Sequence, residues 1–199
     1  PELAKERYSE LISTHLLETD SPADLMNKYT WTIYDSNGVA TQLYKIDENN
    51  PFLDDLLGQH DFKGLKSEID SSGCNFMTIL SYSQLLTGDI FTKSDIMAIY
   101  DNAIEKNALS GTGCWVKDRN TISTIGLNKL GISNFSLTFD STNYTGYQHQ
   151  QIGNRITWLY SNGKPYHYSA GTVYNNNIYN PGYTTKPDYS TTSVNLWWR

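Results

Sequence analysis

The spacing of apolar positions divides the chain into a helical first part and a strand-rich last part. Leu3, Tyr8, Leu11, Ile12, Leu16 and Leu17 recur at intervals that predict an amphipathic helix over residues 2–18. Asp20-Ser21-Pro22 closes it and, with Ser21 as cap and Pro22 at the first helical position, offers a new start. Residues 31–34 and 39–46, joined by Asp35-Ser36-Asn37-Gly38, predict a hairpin, because Asn-Gly supplies the positive φ of a tight turn. Residues 47–73 read as loop with a short helix around 52–57.

From Gly73 onward, Phe76, Ile79, Leu80 and Leu86 place an apolar stripe behind Cys74, and Gly88 can stop that helix. Thr92 with Asp95 three residues later predicts a capping box, and Ile96, Ile99, Tyr100 and Ala103 follow at helical spacing. A third helix begins after Asn120, carries Ile122, Ile125 and Leu130, and ends at Gly131. Beyond it the period falls to two. Phe135, Leu137 and Phe139 alternate, then Ile156, Trp158 and Tyr160, and each run reads as a half-buried strand. Ser161-Asn162-Gly163 turns into residues 166–170, and Asn175-Asn176-Asn177 turns again into 178–180, an antiparallel meander. Helices first and sheet second predict an α+β domain over residues 65–199, with residues 1–64 as an N-terminal extension of helix and hairpin.

Composition narrows the function classes. The 199 residues are 38% hydrophobic and 18% charged, which is globular rather than disordered. A net charge of −6 argues against a phosphate-holding surface, so nucleic acid is not an expected partner. No apolar run is long enough to span a membrane. The start, Pro1-Glu2-Leu3-Ala4-Lys5, has neither an initiator Met nor a signal-peptide core, and reads as a cut or processed piece. Fifteen Tyr and five Trp crowd toward the C-terminal third, among Asn and Gly.

Two cysteines make no disulfide framework, and Cys74 and Cys114 with His167 lack the ligand-pair spacing of a zinc site. Cys74 differs from Cys114 in its setting. A small-residue loop, Asp70-Ser71-Ser72-Gly73, leads into it at a helix start, where backbone N–H groups and the helix dipole favour a thiolate, and Gly73 leaves room for a substrate backbone. Of the four histidines, His15, His60 and His149 sit in polar surroundings and read as surface residues. His167 lies mid-strand between Tyr166 and Tyr168, where a base is held rigidly. A catalytic imidazole also needs an orienting group. Asn180 on the next strand serves if the intervening loop is wide, since a strict two-residue turn at Asn176-Asn177 sets Val173 opposite it; Asp188 is the other candidate.

Gly73-Cys74 at a helix start, the His167-Tyr168-Ser169-Ala170-Gly171 strand and Tyr179-Asn180-Pro181 together resemble the papain-like cysteine peptidases. The nearest subgroup is the one similar to bacteriocin-leader-processing peptidases, with their uncharacterised phage and spirochaete relatives. The segment from Ile99-Tyr100 through Cys114-Trp115-Val116-Lys117 also resembles those relatives. The likeness covers roughly residues 65 to 199. It implies a papain-like fold with Cys74 as nucleophile, His167 as general base and then acid, and Asn180 as orienter, and it implies no metal or organic cofactor. Such enzymes place a Gln shortly before the nucleophile to donate to the oxyanion, whereas Glu68 stands at that place here. An ionised Glu68 repels a developing oxyanion, so Ser72 with the Cys74 N–H, or Gln59 folding in from farther off, remain as donors, or the site is degraded.

The expected function is therefore hydrolysis of an amide bond in a peptide, protein or peptidoglycan substrate. In the last case the chain is a cell-wall hydrolase module of a phage lysin or tail protein. A non-catalytic module gripping peptide or glycan on the same scaffold is the alternative from another class. Gly73, Tyr166, Tyr168 and Tyr179 are the expected groove residues, since aromatic faces bind at small entropic cost.

Overall fold

The computed structural model describes residues 6–10, 30–34, 37–46, 50–133, 136–140, 151–159, 165–171, 178–182 and 192–198. The first expected helix is described only at residues 6–10, which are helical; its remainder, with His15, Ser21 and Pro22, lies outside the described residues. His149, residues 172–177 and Asp188 lie outside them too.

The hairpin forms where the Asn-Gly signal puts it. Strands β1 (Thr30–Tyr34) and β2 (Ala40–Tyr44) pair antiparallel with Thr30 opposite Tyr44, and Gly38 takes a φ of 77°. Four helices follow: α1 (Ser67–Ser72), α2 (Cys74–Thr87), α3 (Lys93–Glu105) and α4 (Arg119–Lys129). The α3 start is the reciprocal capping box that its sequence announces. Thr92 Oγ1 accepts from the Asp95 N–H, Asp95 Oδ2 accepts from the Thr92 N–H, and Ile96, Ile99, Tyr100 and Ala103 are buried behind it. Helix α4 is capped by Asp118, which accepts from the N–H groups of Asn120 and Thr121. Among the described residues, no helix is long and apolar enough to cross a membrane.

Helix α2 is the centre of the molecule, with every residue from Asn75 to Thr87 buried. Burying so many hydroxyls and amides is tolerable only because most find partners. Ser81 Oγ donates to the Thr78 carbonyl at 2.7 Å and Thr87 Oγ1 to the Ser83 carbonyl at 2.8 Å, while Gln84 Oε1 accepts from the Phe91 N–H at 2.8 Å. Small residues also let a neighbouring helix approach closely. A Cβ on Gly126 of α4 would sit 3.1 Å from Leu80 Cδ2.

The larger sheet holds β3 (Leu137–Asp140), β4 (Gln151–Leu159), β5 (Pro165–Gly171) and β6 (Thr192–Trp198), in the order β3-β6-β4-β5 with antiparallel pairs. The meander expected from local turns is thus corrected. The last strand inserts between β3 and β4, a long-range pairing that no turn signal announces. Residues 178–180 do not form a full strand; they bridge to the free edge of β5 at Ala170 and Tyr179. The described residues establish an α+β architecture.

Helix α2 grips β5 through side chains one helical turn apart. Thr78 Oγ1 donates to the Tyr168 carbonyl at 3.2 Å, and Tyr82 Oη both donates to the Gly171 carbonyl at 2.9 Å and accepts from the Gly171 N–H at 3.1 Å. Tyr82→Phe should therefore destabilise the fold by about 0.5–1.5 kcal/mol, because it removes the buried hydroxyl's hydrogen bonds to Gly171. In urea denaturation this appears as a lower midpoint at unchanged slope.

Residues before 65 share this core. Tyr8 stacks on Tyr44 with ring centroids 4.3 Å apart, and Asn50 Nδ2 donates to Tyr8 Oη at 3.1 Å and to the Leu85 carbonyl of α2 at 3.4 Å. The expected boundary at residues 64 and 65 therefore runs through packed contacts.

Candidate active site

A cavity of about 760 Å³ opens where the α1–α2 junction meets β5, and Cys74, His167, Gln59 and Tyr168 line it with Ser72. The same α2 face that clamps β5 carries Cys74. Cys74, Thr78 and Tyr82 lie four residues apart, so they form one stripe. Thr78 holds Tyr168, whose neighbour is His167. Stepping back one turn along the helix and one residue along the strand leads to the two cavity residues.

Helix α2 begins at Cys74, which is half-buried. The segment before it is helix α1 rather than the expected loop. Gly73 faces its own chain, since a Cβ there would lie 2.4 Å from the Ile69 carbonyl oxygen. Its small size serves the close α1–α2 junction and not a substrate backbone, which corrects the expectation.

His167 is 3% exposed, and its Nε2 lies 2.8 Å from Asn180 Oδ1. Asn180 Oδ1 also accepts the Gly182 N–H at 3.3 Å. A backbone N–H can only donate, so this atom is the amide oxygen and His167 Nε2 must carry a proton toward it. In the neutral ring the lone pair is then on Nδ1. The register differs from that of a two-residue turn at 176–177, since Ala170 pairs with Tyr179. Burial lowers the His167 pKa below its ordinary value, the Asn180 hydrogen bond opposes that fall, and His60 adds to it. The ring is thus held as a neutral imidazole at pH 7.

Gln59 enters from the stretch expected to be an extension. It opens a 3₁₀ turn, Gln59–Phe62, that is tied to the Asn180 segment. The Gln59 N–H donates to the Pro181 carbonyl at 2.7 Å, and Tyr179 Oη donates to the Leu57 carbonyl at 2.6 Å. A Cβ on Gly58 would lie 2.6 Å from the same Pro181 oxygen, so only glycine permits this approach. Gln59 is 6% exposed; Nε2 donates one proton to the Asp70 carbonyl at 2.9 Å, and Oε1 is buried without a partner among the described residues. A Cβ on Gly182 would meet both Gln59 Oε1, at 3.0 Å, and His167 Cε1, at 3.2 Å.

Glu68 is not among the residues that line the cavity. It lies in the first turn of α1, where backbone and Ser67 hydrogen bonds hold its carboxyl below the usual range. Tyr179 is corrected as a groove residue. It is buried in the core, its hydroxyl spent on Leu57, and burial pushes its pKa strongly upward. Tyr166 lies beside His167 in β5, and its side chain is outside the described ones. Cys114 is 1% exposed with φ 53°, and burial, then Cys74 and Glu68, raise its pKa strongly, so it stays a thiol. Among the described residues, no group of three or more His, Cys, Asp and Glu is placed to hold a metal ion.

Four lining residues carry no sequence signal of a site: His60, Lys63, Trp115 and Arg119. His60 Nδ1 lies 2.7 Å from Asp70 Oδ1, and Trp115 is 64% exposed at the rim. They are spread over three segments, so only the fold could reveal them.

A family model described as a protein of unknown function, DUF261, matches residues 57–181. No curated protein and no solved structure matches the chain. The matched stretch begins at Leu57 and ends at Pro181, the residues whose carbonyls take the Tyr179 hydroxyl and the Gln59 N–H, so its two ends meet beside the cavity.

Proposed function

The chain belongs to DUF261, a family of unknown function, and we propose that it is a thiol hydrolase on a papain-like scaffold that cleaves an amide bond in a peptide or protein. The observation that carries this reading is the 2.8 Å His167–Asn180 contact behind a cavity that both His167 and Cys74 line, with the imidazole lone pair on Nδ1. His167 Nδ1 takes the Cys74 proton, and Sγ attacks the substrate carbonyl. The oxyanion accepts from the Cys74 N–H and from the second Nε2 proton of Gln59, in place of the donor expected where Glu68 stands. His167 then protonates the leaving amine, a thioester remains on Cys74, and a water that gives its proton to His167 attacks it, releasing the acid as His167 returns that proton to Sγ. Asn180 holds the ring through both half-reactions.

Peptidoglycan crosslinks are amides as well, and the same steps apply to them; the phage connection rests on the resemblance alone. A binding module without turnover draws support from the exposed Trp115 at the rim, but it gives no use to a buried, oriented neutral imidazole. Treatment with the epoxide E-64 at neutral pH, followed by peptide mass spectrometry, should give one adduct on the Cys74 peptide and none on the Cys114 peptide. A chain modified only after unfolding contradicts the hydrolase reading.

A further inference from the structure

The net charge of the chain is −6, yet the cavity wall carries two cations, Lys63 and Arg119, that have no ion-pair partner among the described residues. The acids nearest in sequence or on the wall are already engaged. Asp118 caps α4 and accepts from Thr121 Oγ1 at 2.7 Å, and Asp70 pairs with His60. Arg119 Nε is fully buried and has no hydrogen-bond partner among the described residues. That edge of the guanidinium is thus tied to no acceptor, and its η nitrogens hydrogen-bond to no described residue either, so the residue lines the cavity with its charge uncommitted. Its planar fork matches two coplanar oxygens.

We infer that the site selects substrates carrying a carboxylate close to the scissile amide, with Arg119 as the specificity-determining residue and Lys63 as a second cation. This rests on the hydrolase reading and adds to it the substrate class. A local positive wall in an acidic protein also concentrates such substrates at the mouth, an effect that salt weakens. The exposed Trp115 ring offers an apolar face beside the anion.

Two alkylating probes of nearly equal shape, iodoacetate and iodoacetamide, test this, because only the first carries the carboxylate. The ratio of their rates at Cys74 should exceed the ratio for free cysteine by about tenfold, and Arg119→Gln should remove most of that excess. Lys63→Gln should lower the ratio less, and covers the case in which Arg119→Gln does not fold. A ratio equal to that of free cysteine, or unchanged in both variants, overturns the inference. Protection of Cys74 from iodoacetamide by N-acetylglutamate α-amide marks a side-chain carboxylate and protection by N-acetylalanine a terminal one; protection by neither also overturns it. The hydrolase reading fails on a different measurement, an iodoacetamide rate that His167→Ala leaves unchanged.

Discussion

His167→Ala should lower amide turnover by about three to four orders of magnitude, and Cys74→Ala by at least as much. In the proposed mechanism the two losses share one cause, since the thiol attacks only when the imidazole takes its proton, so the double variant should be scarcely worse than either alone. Asn180→Ala should cost less, because it removes the group that orients the ring and leaves the base in place. His167 is buried and packs beside Gly182, so its removal also loosens the fold. Thermal unfolding of each variant separates the two effects: a chain that melts near the wild-type temperature yet does not turn over has lost chemistry, not structure. Full activity in a folded His167→Ala chain would remove His167 from the mechanism.

Gln59→Ala gives the second large effect, a fall in kcat of about 10²–10³-fold, the range for losing one oxyanion donor. Alkylation of Cys74 by iodoacetamide should stay close to the wild-type rate, since that reaction builds no oxyanion. This split identifies the role, because a general collapse of the site would lower both rates together. Glu68→Gln should change little, as the carboxylate sits in the first turn of α1 and does not line the cavity. If Glu68→Gln raised turnover while Gln59→Ala left it unchanged, the oxyanion assignment would move from Gln59 to the α1 turn.

What the sequence makes legible here is what local physics decides. The Thr92–Asp95 box, the Asn37-Gly38 turn and the helix starting at Cys74 depend on neighbours a few residues apart, and they form as expected. His167 and Asn180 were legible as a pair because their strand segments follow one another, although only the observed Ala170–Tyr179 register brings their side chains together. The insertion of β6 was not, since its pairing with β3 and β4 spans distant parts of the chain. Val194, Leu196 and Trp198 do alternate, a signal for the strand itself but not for its place. Gly73 and Tyr179 show the limit of residue type as evidence. A glycine before a cysteine looks like substrate space and turns out to relieve a contact with Ile69, and a tyrosine beside the orienter looks like a groove wall and turns out to fasten Leu57. Gln59 was separated from Cys74 by too much chain for spacing to place it. The Pro181 carbonyl and the missing Cβ of Gly58 place it.

The central claim, that Cys74 and the His167–Asn180 pair act as one unit, is tested most directly by the pH dependence of Cys74 alkylation with iodoacetamide. Burial lowers the His167 pKa, so the ring stays a proton acceptor below the ordinary histidine value of about 6.5, and the wild-type rate should persist into that range. In His167→Ala that low-pH reactivity should be lost, because no imidazole takes the thiol proton there. Two superimposable profiles would contradict the account.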